Sequence, residues 1–372
     1  MKIIHTSNVH LGKSFSGHST AGDKLRAAIK RAFSQVIDLS LAEKADMVIF
    51  AGDTFDSVDV SQNLLKFFLS EIRRLEKIPV FLLPGERDYY QKGSFWEEWE
   101  ITPAVDNLHM LTNTERPYID LPRLSTTVYG YPILAESSLD NPAERLRKFG
   151  KSKYHIAVLY GNLVHDTSQA GHNYPFHPDD LMAGGFSYAA LGGQKTFRDF
   201  SSIGIKAAYC GSPEIITPVQ IEEAGTVAVV ELDESQITVE PRRVGNLCWR
   251  EMHISMETVA NPDDLKSQIK EMAGPDVFLR VTLEGLTLFE SGLNLGQLHK
   301  ELYNGFMHLE FVDHTRVLPD NISAVKVQEK TILGQYLKVM VDKLNDAEGT
   351  YRIDLEESLK VGYTLLSGKE LW

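Results

Sequence analysis

Over its first 210 residues the chain alternates short apolar runs with helical patterns, and this alternation restricts the fold more than any other feature. The apolar runs, residues 2–5, 46–51, 80–83, 127–131, 155–160 and 188–191, have the length of strands. Between them, residues 24–43 place Leu25, Ala28, Ile29, Ala32, Phe33, Val36, Ile37 and Leu41 at helical spacing. Residues 63–75 do the same with Leu64, Leu65, Phe68, Leu69 and Ile72. Strand, helix, strand implies a layered α/β domain, with helices covering a sheet.

Near residue 220 the texture changes. Strand patterns at 225–232, 236–241, 247–255 and 277–283 surround one helix at 263–272, a smaller α+β unit. Residues 331–344 and 355–366 are amphipathic and helical, with Gly349 between them. The expected organisation is a first domain over 1–220, an α+β cap over 221–320 and a C-terminal helical segment over 321–372. At 372 residues the chain is long enough for such a division.

Charge follows the same division. The formal net charge is −13, made of −2 over residues 1–220 and −11 over 221–372. Bulk electrostatic coating of nucleic acid is therefore excluded; a phosphate-bearing partner would meet the first domain and a protein partner the acidic remainder. Two cysteines, Cys210 and Cys248, exclude a disulfide framework or a cysteine-based zinc site. No apolar run reaches the ~20 residues of a membrane span, and the N-terminus lacks a secretory pattern, so the expectation is a cytoplasmic protein with no membrane partner.

The chemistry lies where the strands end. Four endings carry polar loops: Asn8-Val9-His10, Gly52-Asp53-Thr54-Phe55-Asp56, Gly85-Glu86-Arg87-Asp88 and Gly192-Gly193-Gln194-Lys195. Open α/β sheets gather such loops at one edge and bind ligands there. Their order and spacing resemble the calcineurin-like metallophosphoesterases, with the pattern Asp-x-His, Gly-Asp, Gly-Asn-His-Asp, a His after a strand, and Gly-His-x-His. Residues 4–15, 46–56 and 209–213 further resemble the DNA-repair exonucleases of the SbcD type, with their YhaO-like and Mre-eleven relatives. The resemblance implies an α/β, calcineurin-like metallophosphoesterase sandwich, two sheets flanked by helices, with a smaller α+β cap domain and C-terminal helices.

Enzymes of this family hold two Mn or Mg ions about 3.5–4 Å apart, so that a metal-bound hydroxide attacks a phosphodiester. Carried across position by position, the first ligand Asp falls on Asn8, its partner on His10 and the bridging Asp on Asp53. The Asn ligand falls on Glu86, and the His that assists the leaving group on Arg87. The His after the next strand falls on Tyr160, and the final pair on Gly193 and Lys195. Five of the seven ligand positions differ, as does the acid. Asn8, His10, Asp53 and Glu86 remain as residual ligands, while Lys195 and Arg87 bring fixed positive charge that two divalent cations would oppose. The expectation is that Lys195 and Arg87 pair with Asp53 and Glu86. No metal cofactor is then expected, and no catalytic residue.

The resemblance implies a DNA-repair nuclease homologue acting as a scaffold or DNA-end-binding subunit beside an SMC-like ATPase. Two alternatives stay open: an active Mn- or Mg-dependent exonuclease or phosphodiesterase using the reduced ligand set, and a phosphate- or nucleotide-sensing module. A homodimer is also compatible with the apolar faces. Arg145, Arg147, Lys148, Lys151 and Lys153 are either phosphate contacts or a helix C-terminus matched to its dipole. Phe95, Trp96 and Trp99 are either base-stacking faces or helix packing, with Glu97, Glu98 and Glu100 beside them. His165, His172 and His177 are candidate replacement imidazoles. Ile332, Leu333, Tyr336, Leu337, Met340 and Leu344 form the apolar face that would grip a partner or dock on this chain's own cap.

Overall fold

A computed structural model describes residues 1–15, 21–101, 105–164, 173–216, 225–233, 236–256, 258–259, 261–288, 294–318 and 331–366. The chain divides into two compact units, Met1–Trp249 and Arg250–Trp372.

In the first unit the chain lays down β1 (Lys2–Thr6), β2 (Met47–Ala51), β3 (Val80–Leu83) and β4 (Leu108–Met110) as neighbouring parallel strands. It then builds a second sheet from β5 (Tyr118–Leu121), β6 (Thr126–Gly130) and β7 (Tyr154–Tyr160). A short pair, β8 (Asn162–Leu163) and β9 (Pro175–Phe176), precedes β10 (Tyr188–Gly192), β11 (Phe197–Asp199) and β12 (Ala207–Cys210), which complete that sheet. Finally β13 (Thr226–Leu232) and β14 (Ile237–Arg243) return to the first sheet, giving the orders β14-β13-β1-β2-β3-β4 and β11-β12-β10-β7-β6-β5. The sequence patterns at 225–232 and 236–241 are strands, but they do not belong to the cap. β13 runs antiparallel beside β1, with Ile4 opposite Val229, so the division falls after Trp249 rather than near 220. Texture marks strands; it does not say which sheet they join.

Strand periodicity explains the layers. Met47, Ile49 and Ala51 of β2 face inward and pack against Ile156, Val158 and Tyr160 of β7, forming the core between the sheets. Val48 and Phe50 point the other way, beneath α1 (Gly22–Ala42) and α2 (Gln62–Arg73). There Phe33, Phe50, Phe55 and Phe68 form an aromatic cluster with Phe95 and Trp99 of α3 (Phe95–Ile101). The outer face of the second sheet is closed by Leu181 of α4 (Pro178–Gly184), Phe176 and Phe200.

The second unit begins inside β15 (Cys248–Ser255) and continues with α5 (Pro262–Glu271), β16 (Gly274–Glu284), β17 (Leu286–Leu288), α6 (Leu295–Leu302), β18 (Phe306–Asp313) and β19 (Arg316–Leu318). β15, β16 and β18 make a three-stranded sheet, and β17 pairs with β19. A helical hairpin follows, α7 (Ile332–Asn345) and α8 (Gly349–Leu366). Thr331 caps α7, its hydroxyl accepting from the Gly334 amide at 3.0 Å. Gly349, expected between the helices, is instead the first residue of α8.

Candidate functional site

Parallel pairing brings the carboxyl ends of β1, β2 and β3 to one edge of the first sheet and those of β7 and β10 to one edge of the second. The loop after β1 is stitched to the loop after β2 by four backbone bonds, one of them from Asp56 N–H to Leu11 O at 3.0 Å. Asn8 N–H donates to Gly52 O at 3.0 Å, His10 N–H to Asp53 O at 3.0 Å, and Leu11 N–H to Thr54 O at 2.9 Å. Asn8, His10 and Asp53 all adopt left-handed backbone conformations, with φ of 52°, 54° and 52°. Such strain at a non-glycine residue persists only where the surroundings over-determine it, and it clusters at functional sites. Gly52, at φ +90°, has no room for a side chain: a Cβ there would lie 2.3 Å from the Tyr160 ring.

Asp53 is buried at the centre of these loops. Its Oδ2 accepts from the Tyr160 hydroxyl at 2.7 Å, and its Oδ1 accepts from the Arg87 backbone N–H at 2.9 Å. Burial raises the Asp53 carboxyl above its ordinary range; the charge on His10 opposes this and that on Asp88 adds to it. Burial, and then Asp53 itself, push the Tyr160 hydroxyl well above its usual value, so Tyr160 keeps its proton and is the donor. This bond crosses from sheet to sheet, because Tyr160 continues the inward-facing series of Ile156 and Val158.

Asp88 ties the second and third loops together. Its Oδ1 accepts from Gly85 N–H at 2.8 Å and Asp53 N–H at 3.2 Å, and its Oδ2 from Phe55 N–H at 2.9 Å. Burial raises its carboxyl, and those backbone donors oppose the rise. Trp96 of α3 anchors the same residue from behind, its indole N–H reaching Asp88 O at 2.6 Å.

Around this centre runs a ring of amides. Asn8 Nδ2 donates to Gln194 O at 2.8 Å, and Gln194 Nε2 donates to Asn162 Oδ1 at 2.5 Å. Asn162 Nδ2 donates to Asn173 O at 2.7 Å, and Asn173 Nδ2 donates to Glu86 Oε2 at 3.1 Å. The expected pairing of Arg87 and Lys195 with Asp53 and Glu86 is not found. The Arg87 guanidinium is exposed and reaches Glu136 at 3.3 Å, and Lys195 is exposed with no ion pair among the described residues. The reason is geometric: Asp53 lies too deep for a long cation at the rim, and a hydroxyl and a backbone amide satisfy it locally.

His10 is also turned aside. Its Nδ1 lies 3.0 Å from Asp56 Oδ1 without meeting hydrogen-bond geometry, and Lys13 Nζ is 3.3 Å from the same oxygen. Burial would raise Asp56, but His10 and Lys13 outweigh it and hold that carboxyl below its usual range.

These side chains do not fit a two-metal group. Both oxygens of Asp53 accept hydrogen bonds from within the protein, Tyr160 offers a protonated hydroxyl and Gly193 offers no side chain. Among the described residues no three His, Cys, Asp or Glu side chains are grouped to hold a metal ion.

The remaining candidates fall elsewhere. Arg145, Arg147, Lys148, Lys151 and Lys153 are exposed but do not end an α-helix; a 3-10 turn at Pro142–Arg145 leads into an irregular segment before β7. Lys151 and Lys153 directly precede β7, at the opposite end of that strand from Tyr160, whereas Arg145 lies at the Tyr160 end, beside Tyr131 just past β6. Arg145 instead lies over the Tyr131 ring and Lys153 over the Tyr154 ring. Phe95, Trp96 and Trp99 are buried, so they pack α3 and present no base-stacking face. His177 precedes α4, its Nδ1 3.1 Å from Val164 O, while His165 and His172 lie outside the described residues. In the hairpin, Leu333, Tyr336, Leu337, Met340 and Leu344 pack with Leu355, Leu359 and Tyr363 of α8. The face expected to grip a partner or the cap is spent on the hairpin itself, and only Ile332, 76 % exposed, stands apart.

The two-sheet sandwich and its loop edge are those of the calcineurin-like phosphoesterase fold, and residues 1–166 match the calcineurin-like phosphoesterase family. The first unit is a calcineurin-like metallophosphoesterase domain, and the chain's homologues are YhaO, Mre11 and SbcD, as its loops indicate. It is 26 % identical over 305 residues to the uncharacterized metallophosphoesterase YhaO of Bacillus subtilis, covering 77 % of this chain and 72 % of that one. It is 26 % identical over 374 residues to the DNA double-strand break repair protein Mre11 of Saccharolobus solfataricus, covering 93 % of each. To the SbcD component of the nuclease SbcCD from Staphylococcus epidermidis it is 27 % identical over 125 residues, 33 % of this chain and 31 % of that one. No described helix is long and apolar enough to cross a membrane.

A linear reading includes Asp88 in the third loop without giving it a role, and it passes over Asn162, Asn173 and Gln194. The available signals are positional. Asn162 and Gln194 stand beside the family's ligand positions, and Tyr160 has the strand parity of the inward-facing residues.

Proposed function

We propose that this chain is an SbcD- and Mre11-like DNA-repair nuclease homologue that has lost hydrolysis and acts as a scaffold or DNA-end-binding subunit beside an SMC-like ATPase. The observation that carries this reading is the state of Asp53. The residue that would bridge two metals has both oxygens hydrogen-bonded within the protein, one of them to the tyrosine that replaces a ligand histidine. Similarity to a DNA double-strand break repair protein along 93 % of both chains supports a role in the same kind of complex. For the ATPase, the hairpin offers apolar side chains outside the face it has used, with Ile332, Val339, Val361 and Leu365 exposed.

The test is a phosphodiesterase assay of the full chain in Mn²⁺ or Mg²⁺ on single- and double-stranded DNA, with Asp53→Ala as control. No metal-dependent cleavage above that of the control is expected, together with retention of DNA ends in the presence of the ATPase. Mn²⁺-dependent cleavage that vanishes in Asp53→Ala overturns the reading in favour of an active enzyme using His10, Asp53, Glu86 and Asn8. A nucleotide that raises the melting temperature without DNA retention points to the sensing module.

A further inference from the structure

In a two-metal enzyme the cations also hold together the loops that supply their ligands. Here those loops are held by something else. The Tyr160–Asp53 bond joins the end of β7 to the loop after β2, and the Arg87 amide joins the same carboxylate to the loop after β3. Outside it, four bonds run in sequence from Asn8 through Gln194, Asn162 and Asn173 to Glu86. Both ends of that relay are former ligand positions, and Gln194 lies between the last two, Gly193 and Lys195. Ser137 Oγ adds the loop after β6, donating to Asn173 Oδ1 at 2.8 Å. All the loops that a metal pair would have gathered are thus joined by direct hydrogen bonds.

We infer that this hydrogen-bonded brace has replaced the metal pair as the device that orders the site, with Tyr160 as its central positioning residue and the Asn8-to-Glu86 relay as its rim. The inference rests on the reading of the site as non-hydrolytic and adds how such a site stays ordered. A proton held between Tyr160 and Asp53 does for one carboxylate what a cation would do: it offsets the cost of burying it. The neutral amides of the relay leave Lys195 and Arg87 free to point outward. The ordered edge is therefore preformed at any divalent metal concentration.

The experiment measures thermal melting and amide hydrogen exchange of the full chain in 1 mM EDTA and in 1 mM MnCl₂. The wild type is expected to melt at the same temperature in both, with equal protection of residues 52–56, 85–88 and 192–195. Tyr160→Phe keeps the ring and removes only the hydroxyl; it should lower the melting temperature by about 3–10 °C and deprotect all three loops together, with no rescue by Mn²⁺. Should Tyr160→Phe fail to fold, Asn162→Ala on the half-buried rim should deprotect residues 192–195 while leaving the fold intact. A wild type that melts lower in EDTA than in Mn²⁺ overturns the inference, as does a Tyr160→Phe protein with unchanged melting and exchange. The two readings fail separately. Loss of DNA retention with metal-insensitive melting overturns the scaffold alone, whereas metal-sensitive melting with DNA retention and no cleavage overturns the brace alone.

Discussion

The loop edge of the first unit and the helical hairpin of the second handle their functional groups in opposite ways. At the loop edge polar groups are buried and turned on one another: Asp53 on Tyr160, Asp88 on three backbone amides, Asn8 on Gln194. In the hairpin one apolar face is used up between α7 and α8, while Val339, Tyr351, Val361 and Leu365 remain exposed. A buried polar group left without a partner is costly, and the carboxylates of Asp53 and Asp88 find theirs within the protein. An exposed apolar side chain costs little and can wait for a partner that covers it. The residues that resemble a catalytic site are thus those least free to meet a ligand, and the plain aliphatic ones are the most free.

The contrast can be broken most forcefully at Asp88. Asp88→Ala leaves the amides of Asp53, Phe55 and Gly85 without their acceptor and should cost about 3–5 kcal/mol, read by urea denaturation. A loss below about 1 kcal/mol would mean that water or rearrangement satisfies them and that the edge is less closed than described. In the hairpin, Leu337→Ala should cost about 2–4 kcal/mol and be felt only there. Hydrogen exchange should show α7 and α8 opening while β1, β2 and β7 keep their protection; spread into the first unit would erase the distinction.

A third effect depends on pH. His5 is fully buried beside the Tyr188 hydroxyl at 2.9 Å, and burial holds its imidazole down at about 3. Its unfolded counterpart titrates near 6.5, so between these values the unfolded state binds the extra proton and stability falls as pH falls. The loss is about 1.4 kcal/mol per pH unit below 6.5, and the difference between wild type and His5→Gln measured at pH 7, 6 and 5 isolates it. Asp53 and Asp88 have the opposite sign. Their raised carboxyls hold protons in the folded state and add stability as pH drops from neutral; two such groups outweigh one imidazole, so only the difference between wild type and His5→Gln shows the His5 slope. The smallest stability effect is expected on the outer hairpin: Val339→Asp together with Val361→Asp should move stability by less than about 0.5 kcal/mol each. The same pair should abolish co-elution with the ATPase, and unchanged co-elution would place that contact elsewhere.

Much of the first unit is readable without coordinates. β1, β2, β3, β7 and β10 fall within a residue or two of the apolar runs, because strand and helix periods are local properties. The four loop endings are likewise readable as one family pattern. Two expectations fail for one shared reason. The strands at 226–232 and 237–243 join the first sheet and not the cap, and Arg87 and Lys195 do not pair with Asp53 and Glu86. Residue type along the chain suggests otherwise, but strand partners and ion pairs depend on distances between segments far apart in sequence.

Sequence alone therefore gives away the alternation of elements and the likeness to the calcineurin-like phosphoesterases, together with the residue types in each loop. What those residues do is settled by the tertiary fold. Tyr160 could have been a filler, but its inward parity on one sheet and the left-handed turn of Asp53 on the other bring hydroxyl and carboxylate to 2.7 Å. Asn162, Asn173 and Gln194 are ordinary loop residues in a linear reading. They become a continuous rim because β7, β10 and β3 end at the same edge, and hydrogen bonds form only between groups that the fold brings within about 3 Å.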